Sequence, residues 1–471
     1  MQFFILVSIF LFLSSLLLFR KWRSSNSQTK RLPPGPWKLP LFGSMFHMLG
    51  GLPHHVLRNL AKKYGPIMHL QLGEMPIVVV TSREMAKEVL KTHDLAFASR
   101  PKLVAVEIGC YNGTDIAFSP YGDYWRQMRK ICVLELLSAK NVRSFSSIRR
   151  DEVCHLIEFI RSSPGEPVNV TKRIYLLTSS IILRSAFGKV IKEQDECIRL
   201  IKDVSGLVGG FDVADIFPSL KFLHVLSGKK GKMMYLHHKI DAIVENVINE
   251  HKQNLATGKI NGELGDLFAG GTETSSSIIT WAMVEMMKNP SVLIKAQAEV
   301  KDAFKGKETF DETDAEELKY LKLVIKETFR LHPSLPLLIP RECREETNIN
   351  DYTIPLKTTI MVNVCAMGRD PKYWVDAESF QPERFEHSTM NFVGNNFEYL
   401  PFGSGRRICP GILFGLANIY LPLAQLLYHF DWSLPAGINP SDLDLTESAG
   451  LAVLRKSDLY LIATPYPTSS E

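Results

Sequence analysis

The residues that most restrict this chain are Phe402-Gly403-Ser404-Gly405-Arg406-Arg407-Ile408-Cys409-Pro410-Gly411, followed by an apolar run from Ile412 to Leu427. Glycines let a backbone turn tightly and approach a flat ligand closely. Arg406 and Arg407 beside the thiol favour the thiolate, the form that binds metal. Pro410 is tolerated in a first helical turn. A sulfur held just ahead of a helix N-terminus gains further anionic stabilisation from the backbone amides and the dipole. The segment reads either as a metal-ligating cysteine at a helix start or as a buried structural cysteine in a Gly-rich turn. Motifs elsewhere in the chain decide between the two.

The chain has 471 residues, 45% of them apolar, and a net charge of +5. No long Lys/Arg block stands out beyond the N-terminal linker, which speaks against a nucleic-acid footprint. Seven scattered cysteines are odd in number and make no disulfide framework, so they fit a reducing compartment. Phe3 to Phe19 is an uncharged, mostly apolar run followed at once by Arg20, Lys21, Trp22 and Arg23. As a helix it spans about 25 Å, enough to cross a thin bilayer. The basic flank stays cytosolic under the positive-inside rule, which puts the body of the protein in the cytosol. A cleaved signal is the rival, but the run has neither a basic start nor a small-x-small site after it. Two glycosylation patterns, Asn112-Gly113-Thr114 and Asn169-Val170-Thr171, are then accidents of sequence.

This organisation gives a membrane anchor at 1–20, a basic and proline-rich hinge at 21–36 and a single domain at 37–471. The hinge ends in Leu32-Pro33-Pro34-Gly35-Pro36, which is semi-rigid because proline fixes the backbone. Alternation and turn residues predict strands at 67–72 and 77–81 around Gly73-Glu74, and another at 358–364. Helical spacing covers 82–92, 121–136, 232–255, 268–288, 290–304 and 316–331. The chain is therefore mainly α with a small β-sheet subdomain.

Several constellations carry chemistry. Gly270-Gly271-Thr272-Glu273-Thr274-Ser275 interrupts an apolar helical pattern with two glycines, each costing about 1 kcal/mol there. A local bulge that makes room for a small ligand is one reason for them, and Glu273 and Thr274 supply an acid and an alcohol beside it. A flexible glycine pair near a helix start is the plainer reading. Glu327-Thr328-Phe329-Arg330 puts an acid and a base on one helical face; alone it is a surface pair. Pro382-Glu383-Arg384-Phe385 follows it, ahead of the cysteine loop. Trp125-Arg126-Gln127-Met128-Arg129 sets Trp125 and Arg129 on one helical face. The histidine pairs His54-His55 and His237-His238 lack metal-site spacing and read as surface or interface residues, not as a second metal site.

The order of these pieces (anchor, hinge, W-R-x-x-R, G-G-x-E-T, E-x-x-R, P-E-R-F and cysteine loop) resembles the cytochrome P-450 family over essentially the whole chain. Within the family the chain is most similar to plant microsomal enzymes, among them the solanaceous sesquiterpene hydroxylases. The resemblance implies the cytochrome P-450 fold with a single N-terminal transmembrane helix, in the endoplasmic reticulum membrane and with the catalytic domain facing the cytosol. It implies heme b whose iron takes Cys409 thiolate as axial ligand. It implies that Thr274 holds a water at the oxygen site and that Glu273 connects it to bulk protons. Glu327, Arg330 and Arg384 would interlock behind the heme, because buried charges persist only when paired. Trp125 and Arg129 would hydrogen-bond a heme propionate, with Arg100, Arg341 and Arg407 as further propionate residues; arginine's fork suits a carboxylate.

The implied reaction uses O2 and two electrons to hydroxylate a small apolar substrate such as a sesquiterpene. NADPH-cytochrome P-450 reductase supplies the electrons, with cytochrome b5 as an optional second donor. Arg126, Lys130 and Arg406 are candidate contacts for such an acidic partner. Residues 102–118, 335–339 and 450–453 would face the substrate. An isomerase or dehydratase on the same heme needs no reductase, and the Glu273-Thr274 pair argues against it.

One stretch departs from the family. Gly258-Lys259-Ile260-Asn261-Gly262-Glu263-Leu264-Gly265-Asp266 opposes a helix where the family has a long one. Asp266 is the expected N-cap, Gly270 stands where many relatives have Ala, and about 30 residues of the family pattern are missing. The alternative to an active hydroxylase is therefore an impaired heme protein whose oxygen site admits water.

Overall fold

A computed structural model describes residues 31–188, 194–208, 212–220, 228–254, 264–307 and 310–466. The expected anchor and most of the hinge lie outside these residues. Hinge residues 31–36 are docked rather than free. His69 N–H donates to Pro34 O at 2.8 Å, and a Cβ on Gly35 would lie 1.9 Å from His69 O.

The helices that position the site are α1 (Pro53–Tyr64), α2 (Asp123–Ile131), α3 (Val170–Phe187), α4 (Gln194–Val208), α5 (Leu264–Lys288), α6 (Lys319–Leu331), α7 (Val364–Gly368) and α8 (Ile412–His429). The strands are β1 (Ile67–Leu72), β2 (Met75–Val80), β3 (Pro167–Asn169), β4 (Arg341–Glu342), β5 (Thr359–Val362), β6 (Phe430–Ser433) and β7 (Tyr460–Pro465). One sheet has the order β1-β2-β5-β4, with β2 and β5 parallel and the other pairs antiparallel. A second runs β3-β7-β6. The protein is mainly helical with small sheets.

The main core gathers α3, α5, α6 and α8. Nearly every residue of α8 from Phe414 onward is buried. It is long and apolar enough to span a bilayer, but 78% of it lies inside the protein, which makes it a core helix. α5 packs along α3 and also meets α6 and α8.

The two strands expected around Gly73-Glu74 form as an antiparallel pair. The stretches at 82–92 and 121–136 each begin as an α-helix and end in a π-turn, at Glu88–Thr92 and Cys132–Leu136. α6 starts at Lys319 because Glu312–Ala315 forms its own turn capped by Asp311. Periodicity did not single out α3. Its buried residues lie on most of its sides, and a helix that is apolar all round has no stripe to read.

Candidate heme-thiolate site

The cysteine loop is shaped by close contacts. Gly405 has φ of +72° and sits where a Cβ would lie 2.2 Å from Leu90 O, so only glycine fits. Asp94 ties the loop down. It accepts from the Arg406 amide at 2.9 Å and from Arg341 Nη1 at 3.0 Å. Cys409 N–H donates to Phe402 O at 3.0 Å, and α8 begins at Ile412, just past the sulfur. Burial pushes the Cys409 thiol up, while the Gly411 amide and the Arg129 charge pull it down.

This changes the sequence reading in one respect. Arg406 is exposed and faces Asp94. Arg407 turns to the carbonyls of Ala98 and Ser119. The cation that bears on the sulfur is Arg129, from α2.

Arg100, Arg341 and Arg407 are all buried. Arg100 donates to the carbonyls of Ala117, Ile339 and Pro340 at 2.6–2.9 Å. Arg341 Nη2 donates to Ser404 O at 2.8 Å. Burial lowers the pKa of Arg100, and the charges of Arg407 and Arg341 lower it further. Arg407 is brought down to about 9 by burial and by Arg341 and Arg129. Its Nη1 is buried with no partner among the described residues. Buried, mutually repelling cations call for anions. The nearby carboxylates are Asp94, already shared, and Asp115, which holds the Ala117 and Phe118 amides. The donor set therefore fits a ligand that brings carboxylates to these arginines and a metal to the Cys409 sulfur, as heme does.

Trp125 is placed differently from expectation. Its indole N–H donates to Ile116 O at 3.0 Å, so it offers a ring face rather than a donor. Arg407 lies 4.1 Å from the ring centroid and Arg129 6.0 Å, within cation–π range.

Glu327, Arg330 and Arg384 come together. Arg330 Nε and Nη2 donate to the two oxygens of Glu327 at 2.7 Å each. Arg384 Nε and the Gln381 amide add bonds at 2.9 and 2.8 Å. Arg330 also holds the carbonyls of Gly368, Ala377 and Ser379. Glu327 and Arg330 are fully buried.

On the distal side α5 opens at Leu264, so Asp266 lies in its first turn rather than at the N-cap. The helix runs unbroken through the glycine pair, and the expected bulge is absent. Close packing accounts for Gly271 instead: a Cβ there would lie 2.7 Å from Ile182 Cδ1 of α3, whereas one on Gly270 would meet nothing within 4 Å among the described residues. The Thr274 hydroxyl donates to Gly270 O. Glu273 is buried and points at α4, accepting from Ser205 Oγ at 2.6 Å. Burial raises its pKa, opposed by Ser205 and Lys202. The acid and the alcohol thus serve different partners.

One of the expected substrate-facing stretches, 450–453, meets α5 through Val453, and Ser334, just ahead of 335–339, bonds both. Ser334 Oγ donates to Thr274 O at 3.1 Å, Val453 N–H to Ser334 O at 2.9 Å, and Ser277 Oγ to Val453 O at 3.1 Å. Leu338 reaches to Gly403 of the cysteine loop. Asp94 escaped sequence reasoning because nothing adjacent to it marks its long-range contacts with Arg341 and Arg406.

A cluster of buried arginines beside a cysteine at a helix start, on this helical scaffold, fits a heme-thiolate protein. The cytochrome P450 family model matches residues 33–263 and 255–462, and the chain belongs to that family of heme-thiolate monooxygenases. The chain is 71% identical to premnaspirodiene oxygenase of Hyoscyamus muticus and 67% to 5-epiaristolochene 1,3-dihydroxylase of Nicotiana tabacum, with all of each chain covered. It is 48% identical to amorpha-4,11-diene 12-monooxygenase of Artemisia annua, over 96% of both chains. The comparison with the first of these extends over 502 positions, 31 more than the 471 residues present here.

Proposed function

We propose that this chain hydroxylates a sesquiterpene hydrocarbon with O2 and electrons from NADPH, delivered by a flavoprotein reductase. The observation that carries the reading is the junction of a buried arginine cluster, a cysteine at a helix start and a close set of relatives named for such oxygenations. Heme on Cys409 supplies oxygen activation. Arg100, Arg341, Arg407 and Arg129 bind its propionates, and the Trp125 ring steadies Arg407 and Arg129. Glu327, Arg330 and Arg384 keep the segment behind the cysteine loop in place. The Thr274 hydroxyl holds a proton beside Gly270, whose outer side is open. Glu273, with its pKa raised, is suited to carry protons near neutral pH, and its path leads through Ser205. The test is incubation of the full chain with reductase, NADPH and a panel of sesquiterpene hydrocarbons under labelled dioxygen. The expected product is an alcohol carrying one labelled oxygen; products formed without NADPH would point to an isomerase or dehydratase instead.

The body sits on the endoplasmic reticulum membrane, anchored by residues 3–19. Trp37, Phe42, Phe46 and Leu49 support this: they lie just past the hinge and are 47–71% exposed. An apolar patch of that kind suits a lipid surface.

A second reading, impaired turnover, rests on a specific observation. The 31 surplus positions of the comparison and the overlap of the two family matches at 255–263 support a missing segment ahead of α5. Thr274 then lies only about 15 Å from the helix start. This reading expects a normal carbon-monoxide difference spectrum with poorly coupled oxygen use; full coupling would reject it.

A further inference from the structure

His54, His55, Cys365 and Glu447 converge on one point away from the cysteine loop. The donor atoms of His54, His55 and Cys365 lie within 4.8 Å of one another. Both imidazole Nε2 atoms are 2.8 Å from the same Glu447 oxygen. His54, Cys365 and the Glu447 side chain are largely buried, and His55 gives access from solvent. The histidines are thus neither ordinary surface residues nor a plain ion pair. Both imidazoles bond the same Glu447 oxygen, and a buried thiol completes the enclosure. The surroundings orient the donors: Asn363 Nδ2 donates to His54 O at 2.8 Å, and the Arg369 charge lies close enough to the Cys365 thiol to favour its thiolate. Partners of this kind commonly fix the ligands of a metal.

We propose that these four residues form a structural site for a zinc-class divalent cation, separate from the heme iron. Two imidazoles, a thiolate and a carboxylate are the mixed N, S and O donors that zinc accepts in four-coordinate sites. The two anions neutralise the metal charge. Binding breaks the two imidazole–carboxylate hydrogen bonds, takes each histidine as neutral imidazole through a ring nitrogen, and releases the Cys365 thiol proton to solvent. The metal joins α1, α7 and the C-terminal loop. That loop leads from Glu447 to Val453, which bonds Ser334 and Ser277 next to α5. The site therefore staples the first helix of the body to the segment covering the distal helix.

The test is made on the full, heme-loaded chain, incubated with zinc and dialysed, with zinc and heme measured together. The expected result is about one zinc per chain and a zinc-edge X-ray absorption spectrum with one sulfur near about 2.3 Å and nitrogen or oxygen near about 2.0–2.2 Å. Cys365→Ser should reduce retained zinc at least tenfold. His55→Ala, at a half-exposed side chain tolerant of change, should do the same if Cys365→Ser fails to fold. Cys154→Ser, at an exposed cysteine elsewhere, should leave zinc unchanged. No retained zinc, a sulfur-free spectrum, or zinc that persists in His55→Ala would overturn the proposal as an adventitious ion only. Heme content is independent of either outcome.

Discussion

Glu327 and Glu273 are both buried acids, one behind the cysteine loop and one on the distal helix, yet they are held very differently. Glu327 accepts from Arg330 twice, from Arg384 and from the Gln381 amide. Glu273 takes one hydroxyl from Ser205, and burial pushes its pKa up. An acid paired with two guanidiniums is part of a rigid frame, whereas a singly bonded acid with a raised pKa can exchange a proton. The proximal acid is locked in a frame of arginines, and the distal acid is the one we propose as a proton carrier. The two family matches also overlap just ahead of the distal helix, at 255–263.

The largest effect should come from cutting the proximal frame. Glu327→Ala leaves Arg330 and Arg384 buried without their acceptor, a loss of about 3–5 kcal/mol. Heme-loaded yield, read as heme absorbance per protein, should fall more than tenfold; unchanged yield would erase the contrast between the halves. The glycine pair sharpens the comparison inside α5. Gly271→Ala drives a Cβ into Ile182 and should cost about 1–3 kcal/mol. Gly270→Ala meets open space and should gain up to about 1 kcal/mol in helix propensity. Denaturant midpoints of the two variants would check the difference in sign.

Lengthening the distal half is the converse experiment. Inserting the 31 surplus positions of the Hyoscyamus muticus relative ahead of α5 should raise product formed per NADPH at least tenfold, worth about 1.4 kcal/mol, with heme content unchanged. The smallest effect sets a baseline outside both regions. Burial brings His69 and His429 down to about 4, with Lys38 and Arg161 adding to the shift. The unfolded chain binds these protons near pH 6.5 and the folded chain only near 4, so their contribution is complete above about 6.5 and declines as pH falls toward 4. From pH 7 to 6 the loss should stay below about 1 kcal/mol per histidine, measurable as a drop in melting temperature that His429→Gln reduces.

How legible each feature was follows the same divide. Glu327 and Arg330 are three apart and Cys409 sits inside its own loop, so their chemistry is written locally. Asp94 acts through contacts with residues far along the chain, and no neighbouring residue marks it. Arg406 and Arg407 adjoin Cys409 in sequence but point elsewhere, while Arg129 reaches the sulfur from α2. The glycine pair was visible, but its cause was not: a bulge and a tight helix crossing call for the same residue, and only the partner helix tells them apart. His54 reads as polar surface until Glu447 folds onto it.

The central claim is that the proximal half is complete and holds heme on Cys409. The most direct test is the reduced carbon-monoxide difference spectrum of the purified chain beside its Cys409→Ser variant. The account predicts the thiolate-heme band in the parent and its loss in the variant. A folded parent without the band, or a variant that keeps it, would contradict the account.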